Sequence, residues 1–154
     1  MIVLLVIRRV GPEQFEYGYR SQLSPTTHTS ASQPPVLTAA VRVHSELGVG
    51  LLESAYTACL QYELNRVGST CRAQVPLPVV YYGVKLDAGY RIDLLVDNSV
   101  VVEIKSVDAI SPVHQAQLIT YLKLSGKSLG LLINFNVVHL KDGIKRIVNG
   151  TGWK

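Results

Sequence analysis

The chain has 154 residues, 47% of them hydrophobic and 17% charged, with a formal net charge of +4 and a sequence pI near 9.1. That length fits one domain with a substantial core, and the composition excludes a chain disordered throughout. The mild basic excess is compatible with a polyanionic partner but falls well short of the basic stripe of a dedicated DNA-binding module.

Residues 1–35 differ in composition from the rest of the chain. The first seven are apolar but too short to span a bilayer, and they lack the basic lead and small-residue cleavage site of a secretory signal. SQLSPTTHTSASQPP lies further along, a composition that predicts a flexible N-terminal extension ahead of a domain over 36–154. No other segment approaches transmembrane length, so a cytoplasmic protein without a membrane partner is expected.

The domain opens with VLTAAVRVHSELG, in which Val36, Ala40, Val43 and Leu47 recur at helical spacing and Gly48 supplies a stop. A Gly-Val-Gly linker leads to a second helix closed by Gly68. Its apolar stripe of Leu52, Ala55, Cys59 and Leu60, widened by Tyr62 and Leu64, predicts burial on more than one side. Cys59 and Cys71 form no CxxC, and no Cys/His set has zinc spacing, so both read as reduced packing residues. Pro76 and Pro78 place the next strand at an edge or in an irregular crossing, and Tyr81, Tyr82 and Val84 carry the β signal past Gly83.

The stretch YRIDLLVDNSVVVEIKS, residues 90–106, reads as two strands around the loop Asp97-Asn98-Ser99. That register sets Asp93 opposite Glu103 and Arg91 opposite Lys105. The other face then carries Ile92 with Ile104, Leu94 with Val102, and Val96 with Val100. Beyond it, Ser111 as N-cap and Pro112 at the first position start a helix that Gly126 ends. Leu118, Ile119 and Leu122 form its expected buried stripe, while His114, Gln117 and Tyr121 share another face. The chain closes with an apolar strand over 129–135 and a hairpin whose Asp142-Gly143 turn joins 137–141 to 144–148. This order predicts an α/β (α+β mixed) domain, a mixed central sheet covered by helices.

Two carboxylates and an ammonium on one strand face can do chemistry. Asp93 and Glu103 repel unless a cation sits between them, and a hard divalent ion such as Mg2+ or Mn2+ suits such a place. A water bound to that ion becomes a competent nucleophile, and Lys105 can orient it or meet charge on a phosphate. The set suits metal-assisted phosphodiester hydrolysis. On the hairpin alone, the plainer reading of a solvated charged face is favoured, since exposed cross-strand charge pairs are common and weak. Against it stand the surrounding LLV and VVV runs and the cost of opposing two acids directly. Arg91 could bind phosphate through its planar fork or simply neutralise the acids. Lys141, Lys145 and Arg146 make the final hairpin basic, a surface for nucleic-acid backbone or merely a solvated face. His44 and His114 have no partner that spacing identifies and read as structural.

GVGLLESAY supplies Gly50, Glu53 and Tyr56 as G-x-x-E-x-x-Y. With VHSELG before it, the 90–106 hairpin and HQAQLITYLKL after it, the chain resembles the GxxExxY protein family of the PD-(D/E)XK nuclease-like superfamily over roughly 36–150. The resemblance implies a restriction-endonuclease-like core, a mixed four-stranded sheet flanked by helices. Asp93 matches the first acidic position and Glu103-Ile104-Lys105 the E-x-K motif, with Ile92 where a proline often stands. Glu53 matches the helical glutamate that often completes the metal site, and Gln117 and Tyr121 match a Q-x-x-x-Y signature of RecB-like members. Taken alone, Glu53 and Tyr56 read as a surface acid and a core aromatic, and Tyr121 as packing. The implied protein is a nuclease acting on DNA. Asp93, Glu103, the Ile104 carbonyl and Glu53 would serve the ion, Lys105 the water, and Gln117 and Tyr121 the lysine or phosphate. The alternatives are a silent nucleic-acid-binding or protein-interaction module, and a small-molecule phosphate-ester hydrolase. Homo-oligomerisation is left open.

Overall fold

The structure, a computed structural model, describes residues 35–150, so the extension expected over 1–35 lies, except for Pro35, outside the described residues. Helix α1 spans Pro35–Leu47 and buries Val36, Ala39, Ala40 and Val43, the spacing of one helical face. Leu47, at the last position, is exposed rather than part of that stripe. Helix α2 spans Glu53–Arg66 and buries Tyr56, Thr57, Leu60 and Leu64. The expected two-sided burial is not found. Leu52 sits before the helix in extended backbone and is 77% exposed, and Tyr62 lies about 200° around the helix from Leu60 and faces solvent.

Strands β1 (Cys71–Pro76), β4 (Arg91–Val96), β5 (Val100–Lys105), β6 (Leu129–Asn134) and β7 (Ile144–Val148) form one sheet in the order β1-β4-β5-β6-β7. Its neighbours are antiparallel except β5 and β6, which run parallel and are joined through α3 (Pro112–Ser125). A parallel pair needs such a crossover, and its helix covers the sheet. The mixed, helix-flanked fold expected from the sequence is present, with five strands in the sheet rather than four. Among the described residues strand β1 is an edge, one of the two placements Pro76 suggested. Strands β2 (Val79–Tyr81) and β3 (Val84–Leu86) form a separate hairpin.

Two apolar layers sandwich the sheet. On one side α1 and α2 pack on Leu94, Val96, Val102, Ile104, Leu131 and Ile133. On the other, Leu118, Tyr121 and Leu122 of α3 pack on Leu95, Val101 and Leu132. Tyr121, not Ile119, completes the buried face of α3, because positions 118, 121 and 122 follow the three-four spacing while Ile119 sits about 100° further round. Ile92 also departs from expectation. It joins the α3 side with Val75, although Leu94 and Ala73, two residues along each strand, face α1 and α2. Both strands therefore change facing at the Gln74–Asp93 row, where Gln74 has φ +52 and the β1–β4 pairing skips one step. A left-handed residue in a strand marks a local bulge that re-aims side chains.

The final hairpin is corrected as well. A 3-10 turn, Leu140–Gly143, replaces its first strand, and β7 pairs directly with β6. Leu140 is buried in the α1–α2 layer, and a Cβ at Gly143 would stand 2.2 Å from the Asn134 carbonyl oxygen. Packing of that turn against the end of β6 overrides the Asp-Gly hairpin signal. Among the described residues no helix is long and apolar enough to cross a membrane.

Candidate active site

The β4–β5 register holds as read for Leu94–Val102, Leu95–Val101 and Val96–Val100, and then the strands part. Where the next rung would form, the Asp93 side chain intervenes. Its Oδ2 accepts the Ile104 N–H at 2.8 Å, and its Oδ1 accepts from Gln74 Nε2 at 3.3 Å. Carboxylate thus replaces backbone carbonyl at the fork, so the pairing ends without orphaning a buried amide. Ile104 projects its N–H and C=O to the same side, as strand residues do, so its carbonyl also faces the fork.

Glu103 and Lys105 point to the α3 side of β5, one row apart. Lys105 Nζ donates to Glu103 Oε1 at 3.1 Å, and both side chains are largely enclosed. Glu103 is only 3% exposed, and its Oε2 is buried with no hydrogen-bond partner. Glu53 reaches the same end of β5 from the first turn of α2. Its Oε1 accepts the Ser106 N–H at 3.0 Å, while Ser106 Oγ donates to the Leu51 carbonyl at 2.8 Å. An open cleft lined by Leu51, Leu52, Glu53, Ser54 and Ser106 adjoins this junction.

The G-x-x-E-x-x-Y residues explain how Glu53 is aimed. Gly48 and Gly50 have φ of +67 and +97, a region that other residues rarely enter, so the linker can reverse direction before α2. Tyr56, fully buried and stacked on Phe135 at 4.4 Å, donates through its hydroxyl to the Gly48 carbonyl at 2.7 Å and accepts from the Leu51 N–H at 3.3 Å. Tyr56 is therefore a latch in the core that fixes the linker and, through it, Glu53.

On α3, Gln117 Nε2 donates to the Tyr121 hydroxyl oxygen at 2.8 Å. This leaves the phenolic proton free to donate to a further acceptor. The neighbouring charges act on one another. Burial first, then the charge of Asp93, pushes the Glu103 carboxyl up to about 7. Burial also raises Asp93, against the opposing effects of the Ile104 N–H and Lys105. For Lys105 burial pulls the pKa down, but Glu103 outweighs it through charge and hydrogen bond, and the net shift is upward. Tyr121 is raised by burial, opposed by the Gln117 hydrogen bond and reinforced by the charges of Glu103 and Asp93. Glu53 also bears on Glu103, Asp93 and Lys105. Asp93, Glu103, Lys105, Glu53 and Tyr121 thus form one electrostatic cluster.

Other sequence candidates stand apart from it. Arg91 is exposed and turns toward the Gln74 carbonyl at 3.5 Å rather than toward the acids. Lys141 lies in the 3-10 turn, and Lys145 and Arg146, adjacent on β7, project to opposite faces of the sheet, so the three make no single basic surface. His44 Nε2 bonds the Val137 carbonyl at 2.8 Å, and His114 Nδ1 accepts the Ser111 N–H at 3.2 Å at the start of α3. Three supporting residues carried no sequence signal. Gln74 and Ser106 hold the acids, and the buried Asn134 takes both the N–H and C=O of Val107, tying the chain after β5 to β6.

Among the described residues no three His, Cys, Asp or Glu side chains are gathered as a ready metal shell. The oxygens of Asp93 and one each of Glu53 and Glu103 are turned to protein donors instead. Against known proteins, the family model of the PD-(D/E)XK nuclease superfamily matches residues 31–147. No curated protein and no solved structure matches the chain.

Proposed function

The chain belongs to the PD-(D/E)XK nuclease superfamily, and on that premise we propose that it is a divalent-metal-dependent nuclease hydrolysing phosphodiester bonds of DNA. Within the superfamily, the Gly50, Glu53 and Tyr56 spacing supports placement among GxxExxY proteins. One observation carries the functional reading. Glu103 Oε2 is a buried carboxylate oxygen with no partner, beside the half-buried carboxylate of Asp93. A protein that removes an acid from water ordinarily satisfies its lone pairs, and a missing partner beside a second carboxylate fits a cation.

Asp93 and Glu103 are the two hard oxygen donors such a site needs, since Mg2+ commonly takes one or two carboxylates and keeps its remaining places for water and phosphate oxygens. The Ile104 carbonyl adds a neutral oxygen at the fork, and Glu53 assists through water. When bound, Mg2+ or Mn2+ neutralises the paired acids and acidifies a coordinated water. Lys105, held 3.1 Å from Glu103, orients the attacking water and meets negative charge on the phosphate. The Tyr121 hydroxyl, its oxygen fixed by Gln117, donates its proton to lysine-bound water or phosphate.

Purified protein with magnesium or manganese is expected to nick or degrade DNA, and Lys105→Ala and Asp93→Ala each to abolish that. Cleavage surviving both substitutions would sink the assignment. A second reading, a binding module of the same fold without turnover, is favoured by the internal hydrogen bonds that already engage the carboxylates. Calorimetry separates the two: DNA binding without any magnesium or manganese binding supports the silent module.

A further inference from the structure

The β2–β3 hairpin stands outside the main sheet and has no role in the carboxylate site. Its two-residue loop is Tyr82-Gly83, with φ of +48 and +79. That left-handed pair ordinarily selects Asn, Asp or Gly, and a tyrosine in the first place is strained. The ring held there is 90% exposed, and the neighbouring Tyr81 is 63% exposed. The two rings meet edge to face, with centroids 4.6 Å apart. A strained turn that holds the Tyr82 ring 90% exposed gains little from its burial, which points to a role in what that ring and its neighbour Tyr81 meet.

The arm is rooted at the candidate site. The Leu77 N–H donates to the Tyr90 carbonyl at 2.8 Å, closing the loop that carries the hairpin. The Tyr90 ring stands 6.0 Å from that of Tyr121, and the exposed Arg91 is next in the chain. On the arm itself, Lys85 pairs across from Val80 and is exposed. Exposed rings at the tip, with Lys85 on the opposite face of the same hairpin and Arg91 at its root beside the carboxylate cluster, match the way proteins hold unpaired nucleic-acid strands: bases stack on aromatic faces while cations track the phosphates. Base pairs in a duplex keep their faces covered by their neighbours and offer these rings nothing comparable.

We propose that Tyr81 and Tyr82 form a stacking platform for unpaired bases, so that the substrate of the Asp93–Glu103 site is a single-stranded or frayed nucleic acid. The fate of the strand rests on the nuclease reading; its capture by the arm does not.

The test uses the full chain and a labelled oligonucleotide, presented as a single strand or annealed to its complement, with binding monitored by fluorescence anisotropy. The wild type is expected to prefer the single strand. Tyr82→Ala is expected to weaken single-strand binding by about tenfold, as loss of a stacked base does, and to leave duplex binding and the melting temperature unchanged. Tyr82→Phe, which keeps the ring, retains affinity. Equal single-strand affinity in Tyr82→Ala and the wild type overturns the proposal, as does equal weakening toward both forms. A wild type that cleaves DNA while Tyr81→Ala/Tyr82→Ala binds and cleaves single strands normally removes the platform and spares the nuclease. Tyr82-dependent strand binding without cleavage does the reverse. If the double substitution instead dissolves a dimer seen by sedimentation and alters no nucleic-acid binding, the arm is a self-association surface and the proposal fails.

Discussion

Glu103→Gln tests whether the centre of the site opposes stability in the absence of metal. The Glu103 carboxyl is raised from 4.5 to about 7, so between those values the folded chain keeps a proton that the unfolded chain has released. Linkage then fixes the sign: stability from this group is greatest below the unfolded value and falls as pH rises through the folded one. At ~1.4 kcal/mol per pKa unit, the full penalty above neutrality is roughly 3 kcal/mol. Gln has nearly the shape of the protonated acid and cannot ionise. It also leaves Lys105 without its nearest counter-charge, so a net gain of about 2 kcal/mol is expected in alkaline buffer. Urea unfolding in chelator-containing buffer at pH 5 and pH 8.5 measures it. The variant should match the wild type at pH 5, exceed it at pH 8.5, and gain nothing from added magnesium. A variant less stable than the wild type at pH 8.5 would show that the Glu103–Lys105 pair is a net stabiliser and refute the reasoning.

Gly143→Ala forces a methyl to within 2.2 Å of the Asn134 carbonyl oxygen, and thermal unfolding should show a loss of about 3 kcal/mol. Asn134→Ala strips partners from the Val107 N–H and C=O and the Asn136 N–H. It should cost about 2–3 kcal/mol in denaturant titrations and lower cleavage beyond the loss of folded protein. Tyr56→Phe keeps the stack on Phe135 but releases the Gly48 carbonyl. The expected stability cost is about 1 kcal/mol, with a larger proportional fall in cleavage rate because the loop aiming Glu53 is loosened. Unchanged cleavage in this variant would reduce Tyr56 to a packing residue.

Much of the scaffold was legible because its signals are local. The three-residue loop and the alternating Val and Leu fixed the β4–β5 register as far as Leu94–Val102, and the Ser111, Pro112 and Gly126 signals bounded α3. Legibility ended where a side chain took over a backbone role. Asp93 captures the Ile104 N–H and Gln74 turns left-handed, so Ile92 changes side. No periodicity encodes that. The Asp142-Gly143 signal failed for a related reason, since β7 had a better partner in β6 than in the segment preceding it. Asp93, Glu103 and Lys105 were visible as a charge pattern on a hydrophobic hairpin. Gln74, Ser106 and Asn134 were not, because each is a single polar residue whose partner lies far along the chain.

The two rims of the sheet carry a consequence for how this molecule meets copies of itself. An outer strand offers unpaired backbone groups on which another chain can polymerise. At one rim, β1 carries the left-handed Gln74 and ends in Pro76, which has no amide proton. At the other, β7 displays exposed Lys145 and Arg146 on successive residues, so either face of an incoming strand meets a positive charge. Whatever these cations do toward nucleic acid, they also guard the rim against strand addition. Among the described residues, both rims of the sheet thus carry features that disfavour addition of a further strand.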